Sequence, residues 1–379
     1  MDYDRIIFWQ DVPSPHQAPW IRALAEEASD CRIVGMFMRE LHPGRVALGW
    51  QPPDYGKAHV VVSPHQSEVD RLLDCESGRT VHLFSGTAHI PAIHAAFRRA
   101  LSSEAVVGIL SEGRDWRGVK GVARQLHAIF HEHNYRRSID FVLAMGRIGA
   151  CWYRRCGYDQ DKIFPFCYAV ETPEPDGAKN RAGSSVQLIA VGQLIHRKRL
   201  DLLLASLKRI SALDWTLKII GDGDLRSSLE SMAQASGLGN RVHFTGVMDN
   251  RQVRRELSRA DVLVLPSHWD GWGAVANEAL MAGVPVICSD FCGAADLIRS
   301  GFNGEVFPCD CRPSLTRVMR EWISRGRLPH ARREQIRQWS GCISGLSVAR
   351  YFLDVLRSVN GDRECTPMAP WRMDLTNES

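Results

Sequence analysis

The chain has 379 residues, more than one hydrophobic core usually supports, so two domains are expected. Its apolar content of 45% and charged content of 24% are ordinary for a globular protein. A net charge of +4 gives no indication of the concentrated basic stripe of a nucleic-acid binder. No apolar run approaches the ~18 residues of a membrane-spanning helix, so we expect a soluble or at most peripheral protein.

The eleven cysteines include no C-x-x-C pair. Their odd number and the absence of an N-terminal signal peptide favour reduced thiols and a cytoplasmic location. Cys309-Asp310-Cys311 is a short run of residue types that bind metals, but no cluster of histidines joins it in the sequence. We therefore predict no metal site.

The first half of the chain alternates short apolar runs with helical segments, which indicates a parallel sheet with helices on its faces. Strands are predicted near 6–9, 31–37, 60–62, 81–84, 105–110 and 141–146. Helices are predicted near 18–29, 66–74, 91–101 and 117–133, and residues 42–57 are predicted to be a loop. Residues 162–166 lead out of this half into a polar, proline-rich linker.

Two loops at predicted strand ends carry candidate binding residues, because ligands of such sheets bind at the ends of the strands. His16 follows the first strand and is a candidate contact to an acceptor or phosphate, unless it is a loop histidine without a role. Glu112, Arg114 and Asp115 follow a later strand beside Trp116, and carboxylates next to an aromatic ring commonly bind sugars. The alternative is that Arg114 and Asp115 only cap and brace the next helix.

That next helix, near 117–133, is amphipathic. Its basic side carries Arg117, Lys120 and Arg124. Its apolar side consists of Val122, Leu126, Ile129 and Phe130. One interpretation is contact with a membrane surface or a diphosphate lipid. The simpler interpretation is a helix that packs its apolar side on the core and leaves its basic side in water.

In the second half, the stretch 260–286 has a strand–loop–helix–strand pattern, with a ligand site expected at the end of its first strand. Gly271 and Gly273 let the backbone turn and a ligand approach. The free N–H groups that open the next helix favour an anion. Asp270 in the loop and Glu278 in the helix can reach one cleft, which suits a ligand with both hydroxyls and phosphates.

Other segments of this half support the same interpretation. Strands are predicted near 186–191, 217–220, 242–244, 262–265, 286–288 and 304–307, and residues 312–358 are predicted to be helical. The basic cluster 196–199 lies at the head of a helix near 200–210, as in a diphosphate site, with a plain surface cluster as the alternative. Gly221-Asp222-Gly223 lacks the third glycine and the following acid of a dinucleotide fingerprint, so nicotinamide binding is not expected.

Taken together, these motifs resemble the retaining glycosyltransferases of family 4, which have the GT-B fold. The resemblance covers residues 186–308 and rests on segments 191–194, 220–223, 242–246 and 270–287 and on Lys198. It implies an α/β architecture of two Rossmann-like, doubly wound domains that face each other across a cleft. We expect an acceptor-binding domain at 1–168, a linker at 169–183, a nucleotide-sugar-binding domain at 184–340, and a helix crossing back with a loose tail at 341–379.

The resemblance also implies roles for single residues. Glu278 matches the carboxylate that holds the nucleotide ribose, and Lys198 matches the lysine that binds phosphate. Asp270 matches the acidic position near the sugar hydroxyls, where the family usually has Glu. Gln193 stands where an arginine is common and Arg199 where a glycine is common, so Arg197 is expected to supply the missing charge. The remaining donor-binding candidates are Gly221, Gly246, Gly271, Trp272, Gly273 and Ala274.

The implied function is transfer of a sugar, with retention and without a metal or other cofactor, from a UDP- or GDP-linked donor. The expected acceptor is a glycan or a polyprenyl-diphosphate-linked glycan of surface or exopolysaccharide biosynthesis, and no nucleic acid is involved. The expected location is the cytoplasm or the inner face of the membrane. Alternatives are a sugar phosphorylase or nucleotide-sugar epimerase on the same fold, or a non-catalytic nucleotide-sugar-binding subunit.

Overall fold

The protein is described by a computed structural model that covers residues 3–47, 50–74, 78–86, 90–171, 185–361 and 366–373. It divides into two compact units. The first unit comprises residues 1–46, 51–171 and 342–379, and the second comprises 47–50 and 172–341. Residues 172–183 of the predicted linker and residues 362–365 and 374–379 of the predicted tail lie outside the described residues.

The first unit is built on a seven-stranded parallel sheet of order β3-β2-β1-β4-β5-β6-β7. Its strands are β1 Arg5–Gln10, β2 Arg32–Phe37, β3 His59–Val62, β4 Thr80–Phe84, β5 Val106–Ser111, β6 Phe141–Met145 and β7 Ile163–Phe166. Its helices up to the linker are α1 Ala18–Glu27, α2 Pro43–Ala47, α3 Gln66–Asp74, α4 Pro91–Ala100, α5 Gly118–His131 and α6 Gly146–Arg155. Strands β4 and β6 are buried along their whole length, as expected of a parallel sheet covered on both faces.

The second unit is built on a six-stranded parallel sheet of order β10-β9-β8-β11-β12-β13. Its strands are β8 Val186–Val191, β9 Trp215–Ile220, β10 Val242–Gly246, β11 Val262–Leu265, β12 Val286–Ser289 and β13 Gly304–Phe307. Its helices are α7 Leu200–Lys208, α8 Arg226–Ala235, α9 Asn250–Arg259, α10 Val275–Met281, α11 Arg312–Ser324 and α12 His330–Trp339. This strand order is that of a doubly wound Rossmann-like sheet.

The last long helix, α13 Gly345–Val359, packs in the first unit against α1. Phe352 is fully buried, and its ring lies 5.4 Å from that of Trp20 and 6.4 Å from that of Phe8, centroid to centroid. Gly345 allows the close approach, because a Cβ there would lie 2.5 Å from the carbonyl oxygen of Pro19. The C-terminal segment is therefore part of the hydrophobic core of the first unit.

The structure corrects several predicted elements. Residues 163–166 form strand β7 rather than a connection, and the predicted loop 42–57 contains the short helix α2. The predicted helical stretch 312–358 is three helices, and Gly326, with a φ of 72°, lies just after the first of them. Among the described residues, no helix combines the length and the apolar character needed to span a membrane.

Candidate active site

The centre of the second sheet is the point at which its strand order reverses. Strands β8 and β11 are neighbours there, while the chain continues from β8 to β9 on one side and from β11 to β12 on the other. The loops after β8 and β11 therefore part in opposite directions and leave a crevice between them. A pocket at this place is lined by Gly192, Gln193, Lys198, Leu265, Pro266 and Ser267.

Lys198 and Asp270 join the two loops. The Lys198 ammonium donates a hydrogen bond to Oδ2 of Asp270, whose side chain is buried. The guanidinium of Arg197 lies 3.7 Å from the other carboxylate oxygen and donates to the carbonyl of Trp269 at 3.3 Å. Three residues that the sequence singled out thus form one cluster, in which two cations surround one carboxylate.

Gly221 and Gly223 shape the site by allowing two loops to touch. Gly221 has a φ of 132°, and a Cβ there would lie 2.0 Å from the carbonyl oxygen of Gly192. A Cβ on Gly223 would lie 2.7 Å from the carbonyl oxygen of Leu194. The N–H of Gly221 also donates to the carbonyl of Gly246 at 2.8 Å. Backbone packing therefore requires glycine at position 221, whether or not a ligand approaches it.

The loop before α10 offers backbone donors at the same edge of the sheet. Gly273 has a φ of 88°, and a Cβ there would lie 2.9 Å from Sγ of Cys292 and 3.6 Å from Oδ2 of Asp270. In the described part of the chain, the N–H groups of Gly273 and Ala274 donate to no protein acceptor. Unsatisfied N–H groups at a helix start attract an anion.

Trp272, predicted to bind the donor, is a core residue. Its side chain is 1% exposed, and its indole N–H donates to Oδ1 of Asn277 at 2.8 Å. Its carbonyl accepts the N–H of Ala294 and the thiol of Cys292. The indole is therefore unavailable to a ligand, and it holds the loop that carries Gly273 in place.

Glu278 lies in α10 and is half-buried. Its carboxylate makes no hydrogen bond or ion pair among the described residues. Burial raises its pKa to about 7, against the opposing charge of Arg254. A carboxylate without a protein partner can accept hydrogen bonds from ligand hydroxyls, and near neutral pH this one is divided between its charged and neutral forms.

Ser267 is a site residue that the sequence analysis missed. Its side chain is buried, lines the crevice, and its hydroxyl has no hydrogen-bond partner in the described structure. A buried hydroxyl without a protein partner can form a hydrogen bond with a ligand group that enters the crevice. The available signal was its position, directly after the Pro266 that ends a buried strand.

Arg199 occupies the position where the resembling family commonly has glycine, and its backbone explains that preference. Its φ of 50° and ψ of 41° lie in the left-handed region, which disfavours residues with a Cβ. Its guanidinium pairs with Asp201 and with Asp310. The ion pairs thus hold an arginine in a conformation that suits glycine.

Three side chains beside this loop could hold a metal ion. Nδ1 of His268 lies 2.6 Å from Asp310 and 3.8 Å from Sγ of Cys309. The sequence analysis found no histidines near this cysteine pair, because His268 lies 41 residues away in the chain. Burial would raise the pKa of Asp310, but the hydrogen bond to His268 and the charge of Arg199 outweigh burial and lower it. The charged carboxylate of Asp310 is therefore already paired with both His268 and Arg199.

A second cluster lies at the strand ends of the first unit. The Tyr168 hydroxyl donates to Oε1 of Glu112 at 3.0 Å, and the rings of Tyr168 and His16 lie 6.0 Å apart. Burial and the charge of Arg45 lower the pKa of His16 to about 4, so its imidazole is neutral at pH 7. Burial, together with the charge and hydrogen bond of Glu112, raises the pKa of Tyr168. The structure thus brings the predicted residues His16 and Glu112 together and adds Tyr168 to their cluster.

Arg114 and Asp115 have structural partners. Asp115 accepts hydrogen bonds from the backbone N–H and the guanidinium of Arg117, at 3.0 and 2.9 Å. The positive charge of Arg114 lowers the pKa of Glu132, which burial raises more strongly. The contacts of Asp115 are therefore those expected of a residue that braces the next helix.

Only Ile129 of the predicted apolar side of α5 packs against the core, so the simpler interpretation of this helix was wrong for the other three residues. Val122, Leu126 and Phe130 are exposed, and the buried residues of the helix are Gly121 and Ala128.

Comparison with known proteins links the second unit to one family. Residues 173–339 match the model of the family described as "Glycosyl transferases group 1". An uncharacterised glycosyltransferase of Methanocaldococcus jannaschii is 32% identical over 118 residues, which are 31% of this chain and 30% of that protein. The chain thus matches about a third of the length of this curated relative.

Solved structures resemble the chain over nearly its whole length. HepE of Anabaena in complex with UDP aligns with a TM-score of 0.69 and 14% identity, covering 93% of this chain and 100% of HepE. The lipopolysaccharide outer core galactosyltransferase WaaB aligns with a TM-score of 0.66 and 16% identity, covering 93% and 99%. At such low identity these likenesses describe the fold.

Proposed function

Because its second unit belongs to the group 1 glycosyl transferases and the chain has the GT-B fold, we propose that this protein transfers a sugar from a nucleotide-sugar to an acceptor hydroxyl. The donor diphosphate binds in the crevice between the loops after β8 and β11. The observation that carries the proposal is the meeting of Lys198, Arg197 and the N–H groups of Gly273 and Ala274 around one strand end.

The reaction depends mainly on stabilisation of the negative charge that develops on the leaving diphosphate. The bond between the anomeric carbon and the diphosphate oxygen breaks, and its electron pair goes to the diphosphate. The acceptor oxygen bonds to the anomeric carbon, and its proton passes to an oxygen of the departing diphosphate. Lys198 and Arg197 stabilise the growing negative charge on the diphosphate. Asp270 neutralises these cations in part and positions the Lys198 ammonium. When the donor is bound, the second carboxylate oxygen of Asp270 can accept a hydrogen bond from a sugar hydroxyl.

Glu278 holds the ribose of the donor by accepting hydrogen bonds from its hydroxyls, as a carboxylate without a protein partner can do. The hydroxyl of Ser267 supplies a further hydrogen bond inside the crevice. We propose UDP or GDP as the nucleotide. HepE, which shares the fold, is described in complex with UDP, and this supports the uridine donor.

Retention of configuration and independence of metal ions are part of the proposal and rest on the family resemblance. Lys198 and Arg197 provide two positive charges where other transferases use a divalent cation. Addition of a chelator should leave turnover unchanged within about twofold. A loss that Mn²⁺ or Mg²⁺ restores would contradict metal independence and leave the transfer reaction itself intact.

We place the acceptor at the cluster of His16, Glu112 and Tyr168 in the first unit. A glycan or a polyprenyl-diphosphate-linked glycan of surface or exopolysaccharide synthesis is the proposed acceptor class. WaaB, which shares the fold, is described as a lipopolysaccharide outer core galactosyltransferase, and this supports a surface glycan. Tyr168→Phe should lower acceptor-dependent turnover and leave donor binding unchanged, whereas equal losses in both would contradict this placement.

The experiment that tests the function is a panel of UDP- and GDP-sugars, incubated with and without lipid-linked and soluble glycan acceptors, with products identified by mass spectrometry. We expect release of one nucleotide and attachment of its sugar to an acceptor. Conversion of the donor sugar without an acceptor would favour an epimerase, and phosphate-dependent cleavage would favour a phosphorylase. Nucleotide binding without turnover of any donor would favour a non-catalytic subunit.

A further inference from the structure

The side chains of His268, Cys309 and Asp310 converge beside the donor crevice, on the loops after β11 and β13. Their ligand atoms, Nδ1, Sγ and one carboxylate oxygen, all lie within 4.8 Å of one another. Nδ1 of His268 is 2.6 Å from Oδ2 of Asp310 and 3.8 Å from Sγ of Cys309. Imidazole, thiolate and carboxylate are the protein groups that bind Zn²⁺, usually with tetrahedral geometry.

The separations of these atoms are close to those of a tetrahedral zinc site. Zinc bonds are about 2.0 Å long to nitrogen and oxygen and about 2.3 Å long to sulfur. Tetrahedral angles then separate nitrogen from sulfur by about 3.5 Å and nitrogen from oxygen by about 3.3 Å. His268 and Asp310 must therefore part by less than about 1 Å, and two bonds to the ion replace their hydrogen bond.

The two oxygens of the Asp310 carboxylate have different partners. The guanidinium of Arg199 donates to Oδ1, whereas Oδ2 faces His268. Arg199 can therefore orient the carboxylate and leave Oδ2 for the ion, as hydrogen bonds to ligating carboxylates commonly do. The backbone N–H of Cys309 donates to Oδ1 of Asp290 at 2.8 Å, which fixes the loop that carries this thiol.

The charges around the three ligands favour a cation. Arg199 brings one positive charge, which contacts both Asp201 and Asp310. Asp290 adds a third carboxylate beside Cys309. These three carboxylates and one guanidinium carry a formal charge of −2 before the thiol ionises. The opposing charge of Arg199 is thus more than offset by its neighbours.

We propose that His268, Cys309 and Asp310 bind Zn²⁺, with a water molecule as the fourth ligand. The side chains of His268 and Asp310 are 42% and 37% exposed, so the ion and its water can enter from solvent. The Cys309 thiol releases its proton to solvent as the bond between zinc and sulfur forms. The ion links the loop after β11 to the loop after β13 and stabilises the folded second unit. Zinc in this role takes no part in the transfer step, so it is compatible with a metal-independent reaction.

Co²⁺ spectroscopy and Zn²⁺ titration of the full chain, without an affinity tag and reduced and freed of metal beforehand, test the proposal. We expect one Co²⁺ per chain with the absorption of a tetrahedral thiolate complex. Zn²⁺ should displace it and Mg²⁺ should not, because Mg²⁺ prefers oxygen ligands. Saturating Zn²⁺ should raise the Tm by about 3 °C or more. Cys309→Ser should abolish the thiolate absorption, and His268→Ala should weaken Zn²⁺ binding at least about tenfold.

Cys311→Ser and His243→Ala are the matched controls. Cys311 is a half-buried cysteine two residues from Cys309, and His243 is an exposed histidine of the same unit. Both variants should keep the Co²⁺ spectrum and the Zn²⁺ affinity of the wild type, and circular dichroism checks that every variant folds. Absence of thiolate absorption in the wild type would overturn the proposal whatever the variants do. Equal absorption in the wild type and Cys309→Ser, or its loss in Cys311→Ser, would also overturn it.

Discussion

The ammonium of Lys198 and the carboxylate of Asp270, 72 residues apart in the chain, form a hydrogen-bonded ion pair between the loops after β8 and β11. The pair places a positive charge at the point where the strand order reverses and where the diphosphate of a donor would lie. The same contact ties together the two loops that carry the other donor-binding candidates. Substitution of Lys198 therefore tests its function directly.

Replacing Lys198 with alanine should lower kcat by about 10²–10³-fold, because the leaving diphosphate loses a preorganised positive charge. Steady-state kinetics with the donor found in the panel measure the effect. Lys208→Ala, an exposed lysine on α7, should leave kcat unchanged. Because Lys198→Ala also removes the hydrogen-bonded partner of Asp270 and leaves only Arg197 beside it, the double variant Lys198→Ala/Asp270→Asn controls for misfolding. A kcat near that of wild type in either variant would remove Lys198 from the mechanism.

Glu278 should make the stability of the protein depend on pH. The folded protein keeps the proton of Glu278 up to about pH 7, while the unfolded chain releases it near the ordinary pKa of 4.5. The folded state thus binds more protons in this window, and its stability falls as the pH rises through it. Glu278→Gln should raise the Tm at about pH 8 and change it little at about pH 4.5. Equal Tm differences at both pH values would contradict the raised pKa.

The same carboxyl group should make donor binding depend on pH in the opposite direction. Only the ionised form accepts two ribose hydroxyls, so nucleotide affinity should rise as the pH increases through about 7. Calorimetry across this range should show a change of up to about tenfold per pH unit below the pKa. Glu278→Gln should bind more weakly and with a flat profile. A pH-dependent profile in that variant would assign the titration to another group.

Gly221→Ala should destabilise the protein by about 2 kcal/mol or more, because its Cβ would lie 2.0 Å from the Gly192 carbonyl oxygen. Gly237→Ala is the matched control. Gly237 also has a positive φ, of 73°, but no atom lies within 4 Å of its Cβ, so about 1 kcal/mol of backbone strain is expected. Urea unfolding of both variants measures the difference. Equal losses would show that loop contact is not the reason for glycine at position 221.

Ser267→Ala should weaken donor binding by about 2- to 12-fold without loss of stability, since the hydroxyl has no partner in the described structure. Ser289→Ala removes a neighbouring hydroxyl that donates to the Ser267 carbonyl at 2.5 Å, so it should lower stability instead. Nucleotide calorimetry and thermal unfolding distinguish the two. A stability loss in Ser267→Ala with unchanged binding would make this hydroxyl structural.

The second unit was predictable from sequence because its strands are continuous apolar runs that end at glycine or proline. Pro266 and Gly192 mark where β11 and β8 give way to loops, and the residues that follow are those the structure brings together. Strand β7 was hidden by Pro165, which argues against a central strand, and β7 is indeed an edge strand. Because β7 was not predicted, Tyr168, two residues beyond it, was not recognised as lying at a strand end.

Other features depend on contacts that no local pattern contains. The periodicity of α5 showed an amphipathic helix, but the inward position of Gly121 decides which side faces out. The burial of Trp272 likewise follows from its hydrogen bond to Asn277 and its packing, whereas the sequence indicated only that it precedes the start of a helix. His268 reaches Cys309 and Asp310 only because β11 and β13 end at the same edge of the sheet.

The most direct test of the central claim is calorimetric titration of UDP and GDP into the full chain and into Lys198→Ala. The claim is that the crevice between the β8 and β11 loops binds a nucleoside diphosphate through Lys198. It predicts saturable binding of one nucleotide to the wild-type chain and binding at least about tenfold weaker in the variant. No binding of either nucleotide, or equal affinity in the two proteins, would contradict it.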